Sequence, residues 1–301
     1  MSWIRKPFRY AILFTCILVL GSAFVMLDTF VIPHTGQAVA LASSANTQAQ
    51  IADAPAQPDT GVLITDTSYM DGNLHITIET MYVDNTAVYI ADIQVSDAVS
   101  LKTALANNLF GRNIKQTTSD MAENNHAILA INGDYYGFRN DGYVIRNGVL
   151  YRDVAGNRQD LVIDADGNFY IIEESEISAQ ELLAAGAWQV LSFGPALINN
   201  GVIAVSYNSE VNQSMTSNPR TAIGQVSALH YIVIVSDGRT SQSDGLTLYA
   251  LATLMKDLGC TVAYNLDGGG SSTLWFNGEV INNPTDGRSD GERKVSDIVY
   301  F

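Results

Sequence analysis

The stretch NLDGGGSST, residues 265–273, constrains this chain more than any other. It follows the apolar run TVAY (261–264), which reads as a strand, and it puts three residues without side chains directly after an acid. Lacking a Cβ, glycine adopts positive φ and lets another group approach the backbone closely. Successive N–H groups in such a turn can form an anion-binding nest over Gly268, Gly269 and Gly270, with Ser271 and Ser272 adding hydroxyl donors. The turn is not a nucleotide P-loop, because no Lys follows and the G-x-x-x-x-G-K-[ST] spacing is absent. Nor is it a dinucleotide fingerprint, since TLWF (273–276) reads as a strand rather than a helix.

The residues before this turn form a strand–helix–strand unit. Residues 231–235 (YIVIV) read as a buried strand. Residues 246–258 have helical period, with Leu248, Leu251, Ala252 and Met255 on one face and Gly259 as the stop. Residues 262–266 are the next strand. A helical crossover predicts that the two strands are parallel. Asp237 and Asp267 then leave the sheet at the same edge, where open sheets bind ligands. Elsewhere, paired apolar runs flank Asp84-Asn85, Arg146-Asn147-Gly148 and residues 164–168, which read as hairpin turns. SAQE (178–181) fits a capping box opening a short helix to about Ala185. The expected fold is mixed α/β (α+β): a mixed, largely strand-rich sheet with few helices, preceded by one N-terminal transmembrane helix. No internal repeat is present.

Arg5, Lys6 and Arg9 precede an apolar run over residues 10–27, near the lower length limit for crossing a bilayer. The basic flank predicts a cytoplasmic end at 1–9 and a signal anchor at 10–27. A flexible stalk is expected at 28–60, rich in Ala, Ser, Thr, Gln and Pro, and then one folded domain at 61–301. This makes the chain a single-pass membrane protein with its C-terminal domain outside the cytoplasm. The alternative is secretion after cleavage near Ala38-Val39-Ala40. A lipoprotein reading through Cys16 is weak, because Thr15 precedes it. Cys16 lies in the apolar run, so Cys260 has no expected partner. A formal net charge of -15 argues against nucleic acid as a partner. The sequence carries no pattern that sets an oligomeric state.

Four polar clusters sit at strand ends or turns: residues 132–136, 218–221, 236–239 and 265–272. Any one alone is a common turn pattern, and their repetition after apolar strands is the signal. Arg220 and Arg239 stand out in so acidic a chain, since a guanidinium can grip phosphate oxygens with two donors. Tyr135, Tyr136, Phe138 and Trp275 could stack on a sugar face, although a strand Trp is more often core. The four histidines are scattered, without an H-E-x-x-H pair, and no G-x-S-x-G elbow is present. Zinc or serine hydrolysis therefore has no anchor. Several acids near one site leave room for Ca²⁺ or Mg²⁺, as does the acidic segment 286–292, but no motif names a metal ligand or requires a cofactor.

The phrases AINGDYYGF, SFGPALINNG, NPRTAIG, VSDGR, YNLDGGGSSTLWFNGEVINNPTDG and ERKVSDIVYF occur in this order over residues 120–301. Together they resemble the phosphodiester glycosidase family, whose bacterial members are often labelled exopolysaccharide biosynthesis proteins. The resemblance implies hydrolysis of the glycosidic bond of a sugar-1-phosphate diester, N-acetylglucosamine-1-phosphodiester-like, in a cell-surface phosphoglycan or its precursor. Asp134, Asp267 and Asp237 are then the candidate base or nucleophile. Arg220, Thr221, Arg239 and residues 268–272 would hold the phosphate, and Asn132 and Asn265 the sugar hydroxyls. On sequence alone two rivals stay open: a non-catalytic, membrane-tethered glycan- or phosphate-binding module, and a phosphodiesterase cutting the P–O bond.

Overall fold

A computed structural model describes residues 7–39, 61–209, 217–286 and 291–301. Residues 1–6, most of the expected stalk (40–60) and part of the acidic segment 286–292 lie outside the described residues. The apolar run is a helix, Pro7–Phe30, exposed along its length. At 24 residues it is about 36 Å long, enough to cross the roughly 30 Å hydrocarbon core of a bilayer. The stalk does not begin at residue 28, as composition suggests. His34–Thr35 pairs with Gly111–Arg112, and the Val39 N–H donates to the Leu150 carbonyl, so residues 34–39 lie against the domain.

The domain is built on strands. A nine-stranded sheet contains, in spatial order, Ala196–Asn199, Val262–Asn265, Arg220–Ser227, His230–Ser236, Thr86–Val95 and Leu74–Val83, with shorter strands at both edges. A five-stranded sheet carries Leu274–Phe276, Leu129–Asn132, Asp297–Tyr300 and Lys102–Leu105. A second five-stranded sheet holds Val144–Arg146, Gln159–Asp164 and Ala187–Leu191.

Alternation along the strands fixes which layer lies on which face. In His230–Ser236, Ile232 and Ile234 point to one core while Tyr231, Val233 and Val235 point to the other. Helix Leu248–Asp257 covers the first face, with Leu248, Leu251, Ala252 and Met255 fully buried; each large side chain contributes roughly 1.5–3 kcal/mol. Thr247 caps it through the Ala250 N–H, and Gly259 ends it at φ +86°. The opposite face buries Ile76, Ile93, Ile131, Ile163 and Val299, drawn from all three large sheets. The hairpins at Asp84-Asn85 and Asn147-Gly148 turn with both central residues at positive φ, as their sequences predict. Ser178 and Glu181 form the expected capping box.

As expected, the strands on either side of the helix run in the same direction, but they do not pair. Arg220–Ser227 lies between them, antiparallel to both, and every strand pairing among the described residues is antiparallel. The strand inserted between them comes from before the unit, so the unit itself carries no sign of it.

Candidate active site

Because Arg220–Ser227 opposes both neighbours, its beginning meets both their ends. Arg220 stands opposite Ser236, and Ala222 opposite Asn265. Asp237 and Asp267 therefore do leave at one edge, with Arg220 between them. From Asp267 the chain crosses to Leu274–Phe276, in the other sheet, so the glycine turn bridges two sheets. Asn132, at the end of a strand in that second sheet, holds the turn. Its amide donates to the Asp267 carbonyl (2.6 Å), and its Oδ1 accepts from the Thr221 hydroxyl (2.9 Å) and the Thr273 N–H (3.2 Å). Asn265 Nδ2 donates to the Gly194 carbonyl (2.8 Å). Asn132 and Asn265 thus hold backbone in place and Thr221 holds Asn132, and all three are buried rather than open to sugar hydroxyls.

The glycine run admits the protein's own groups. A Cβ on Gly268 would lie 2.8 Å from the Pro219 carbonyl oxygen; at Gly269, φ is +63° and a Cβ would lie 2.9 Å from Arg239 Nη2. The Gly269 N–H is not free for the expected anion nest. The Gly269 N–H donates to Pro219 O, and the Ser271 and Ser272 N–H groups close a short helical turn on Gly268 and Gly269. Gly270 is buried against Asp286 and Arg293. Gly268 and Gly269 line a cavity, while Ser271 and Ser272 are buried beneath them. The buried Asn265 Oδ1 and the Ser271, Ser272 and Thr273 hydroxyls find no aligned partner among the described residues.

That cavity has a volume of about 820 Å³, toward the upper end of the range typical of small-molecule sites. Asp267 and Glu173 are its acids, facing Arg139, Arg158, Arg220, Arg239 and Arg293. Burial pushes the Asp267 carboxyl up from 3.8 to about 6. The Ser271 hydroxyl, Arg293, Arg139 and the Gly268 N–H offset part of that cost. The Ser271 hydroxyl lies beside the carboxylate without making an aligned bond. Arg239 is fixed by Nε and Nη2 on Asn218 Oδ1 (3.2 and 2.9 Å), and Arg220 by Nε on the Leu246 carbonyl (3.0 Å). Arg139 lies over the rings of Tyr135 and Phe193 and donates to the Ser192 carbonyl. Tyr135 lines the cavity and stacks on Phe138 at 4.6 Å.

The other two candidate acids do not open to this cavity. Asp134 is 2% exposed and saturated, accepting from Arg146 Nη2 and the Tyr136 and Ser192 N–H groups. Arg146 also donates to Asp297, making a buried Asp–Arg–Asp triad in which burial holds Asp297 above the usual carboxylate range. Asp237 accepts from the Asn283 N–H, the Asn282 amide and the Tyr89 hydroxyl, tying two loops together; burial raises it too. Tyr136 and Trp275 are core residues, Tyr136 stacked on Phe110. Among the described residues, no group of three or more His, Cys, Asp or Glu could hold a metal ion. Glu292 of the acidic segment accepts from the Ser119 N–H.

Sequence reasoning missed Arg139, Arg158, Arg293 and Glu173 as cavity residues, and placed Asn218 in a polar cluster without giving it a role. Arg139 directly follows the phrase AINGDYYGF and Arg293 lies inside ERKVSDIVYF. The scarcity of cations that draws attention to Arg220 and Arg239 applies equally to them.

The comparisons with known proteins agree with this architecture. The zebrafish N-acetylglucosamine-1-phosphodiester alpha-N-acetylglucosaminidase catalytic domain, auto-inhibited by pro-peptide, superposes with a TM-score of 0.59 at 24% identity, over 75% of this chain and 82% of that one. A hypothetical protein from Synechocystis superposes at 0.56 with 13% identity, over 76% and 62%. In sequence, the SPbeta prophage-derived uncharacterized protein YomE of Bacillus subtilis (strain 168) is 33% identical over 64% of this chain and 30% of its own length. The Bos taurus N-acetylglucosamine-1-phosphodiester alpha-N-acetylglucosaminidase is 27% identical over 54% of this chain and 29% of its own. The match thus spans about a third of the length of these relatives. The profile of the phosphodiester glycosidase family matches residues 125–301, which include Asp267, its glycine turn and all five cavity arginines. The chain belongs to the phosphodiester glycosidase family.

Proposed function

We propose that this protein hydrolyses the bond between the anomeric carbon and the phosphate oxygen of a sugar-1-phosphate diester, with Asp267 as base or nucleophile. One observation carries the reading: of the three candidate acids, only Asp267 lines this cavity, which gathers five arginines in a chain of net charge -15. Phosphate is a good leaving group, so the protein gains more by holding its charge than by protonating it. Arg220, Arg239 and Arg293 around the glycine turn supply that charge. In the base variant, water oxygen bonds to the anomeric carbon and its proton passes to Asp267, while the C–O bond breaks and the electron pair leaves on phosphate. A carboxylate raised to about 6 is a stronger base than an ordinary one and is still ionised at neutral pH.

The relatives' names support an α-N-acetylglucosaminyl group as the sugar. Tyr135 offers it an aromatic face. The helix Pro7–Phe30 supports attachment to a membrane with the domain outside the cytoplasm, where a phosphoglycan or its precursor is the natural substrate. The test is release of free N-acetylglucosamine from its α-1-phosphate methyl diester by the detergent-solubilised full chain. Turnover by wild type and a loss of about 10²–10⁴-fold in Asp267→Asn support the reading. Saturable binding without turnover would favour a binding module instead.

A further inference from the structure

We propose that the cavity is held at a short, fixed height above the bilayer, and that the preferred substrate is a sugar-1-phosphate diester anchored in that same membrane. The inference rests on the proposed glycosidase reading and on the membrane attachment of helix Pro7–Phe30, and it extends both to substrate class. Arg9 and Asp28 are the first charges on either side of the apolar run, so the edge of the hydrocarbon core falls near Asp28. Between Tyr10 and Leu27 the helix is exposed and open to lipid. The domain takes hold of the chain immediately afterwards. Asn113, 6% exposed, donates through Nδ2 to the Thr29 and Ile32 carbonyls, both at 3.0 Å. His34 Nε2 lies 3.1 Å from the Asp28 carbonyl oxygen, and its strand pairs with Gly111–Arg112. The Gly36 N–H donates to Phe110 O, and a Cβ on Gly36 would lie 2.7 Å from the Phe110 ring.

The segment that receives the helix also carries the cavity wall. The Asn113 N–H donates to Gly137 O at 3.2 Å and Phe110 stacks on Tyr136 at 5.3 Å, so both hold the turn Tyr136–Phe138. Tyr135 and Arg139, on either side of that turn, line the cavity together with Asp267. Two hydrogen bonds of Asn113 and the width of one turn therefore separate the Thr29 carbonyl from the cavity wall, a reach of at most roughly 20 Å. The headgroup layer occupies about 5–7 Å of that height. A phosphodiester within a few sugar units of a lipid anchor reaches such a cavity without leaving the membrane. Arg112 and the exposed Lys115, which lies over the Phe138 ring at 6.0 Å, put two cations at this junction, and anionic headgroups attract them. In a chain of net charge -15, that placement favours this face toward the bilayer.

The test places the full chain in phosphatidylcholine–phosphatidylglycerol vesicles with two probes at equal bulk concentration. One is the soluble α-N-acetylglucosamine-1-phosphate methyl diester; the other is the same diester joined through a short ethylene-glycol spacer to a dialkyl lipid. Wild type is compared with a variant carrying a flexible insertion of about twenty Gly and Ser residues between Phe30 and Val31. The insertion lets the domain drift by roughly 25 Å while residues 34–39 stay docked. Wild type should release sugar from the anchored probe at least about tenfold faster, because a shared surface raises its effective concentration. The insertion should leave the methyl diester rate unchanged and cut the preference for the anchored probe by about threefold or more. Height is read by energy transfer to labelled headgroups from a dye at Asn157→Cys on the exposed cavity rim, in a Cys16→Ser background with Cys260 buried, and the insertion should reduce it. Equal rates on the two probes, or a preference or a transfer that the insertion leaves unchanged, overturns the inference even where both probes are cleaved. Wild type that does not float with the vesicles overturns it together with the membrane attachment, and cleavage of the methyl diester then leaves the glycosidase reading standing. Cleavage of neither probe overturns the glycosidase reading and the substrate class with it, while transfer lost on insertion still upholds the fixed height.

Discussion

Replacing Asp267 by Asn should abolish activity and stabilise the fold at neutral pH. Asn keeps the shape and one acceptor for the Gly268 N–H, but removes a charge that burial makes costly. The carboxyl is raised from 3.8 to about 6, and two units correspond to about 3 kcal/mol. Asp267 is open to the cavity, and screening by solvent reduces this to about 1–2 kcal/mol. A carboxyl with a raised folded-state value favours the folded state at low pH. That contribution is complete below about 3.8 and lost as the pH rises through about 6. The variant escapes the loss, so its advantage is full above pH 6 and fades toward pH 4. For a domain of this size it corresponds to a rise in Tm of roughly 3–6 °C at pH 7.5. Thermal unfolding of wild type and variant at pH 7.5, 6 and 4.5 measures it. A variant that melts lower at pH 7.5, or whose gain does not change with pH, is incompatible with a costly buried charge and would make Asp267 a structural anchor.

Three further outcomes are expected from the same geometry. The kcat/KM profile should fall about tenfold per unit below pH 6, since Asp267 must be ionised to act as base or nucleophile; a rate that rises on acidification would reverse its role. Asp134→Asn should weaken the fold by about 1–3 kcal/mol, because it disturbs a saturated buried partner of Arg146; urea unfolding measures this, and the folded variant should keep its rate within about tenfold. Gly269→Ala should cost about 1–2 kcal/mol for a side chain at φ +63° and also raise KM by displacing Arg239; a normal KM would separate the turn from substrate binding.

Local chemistry made much of the fold legible. Asp84-Asn85 and Asn147-Gly148 turn where residues tolerant of positive φ allow it, and the face of Leu248, Leu251, Ala252 and Met255 is the one the helix buries. Strand partners were not legible, because pairing is set by segments far apart in sequence. Arg220–Ser227 enters between two strands that a local reading would place side by side. The site was half legible for the same reason. Asp134 and Asp267 both stand two residues after an Asn at a strand end. What separates them is Arg146 and the Ser192 N–H, which close on Asp134, while Asp267 is left at the cavity. The triad residue Asp297 was invisible because a single acid in SDIVYF reads as surface. The nest reading could not foresee that its middle donor, the Gly269 N–H, is taken by the Pro219 carbonyl.

Which bond breaks separates a glycosidase from a phosphodiesterase. Hydrolysis of the α-N-acetylglucosamine-1-phosphate methyl diester in ¹⁸O-labelled water, with mass spectrometry of both products, decides it. Attack at the anomeric carbon puts the label on the anomeric oxygen of the free sugar and none in the released methyl phosphate, and this is the expected result. Label in phosphate, with the sugar released as its 1-phosphate, would contradict it and make the protein a phosphodiesterase.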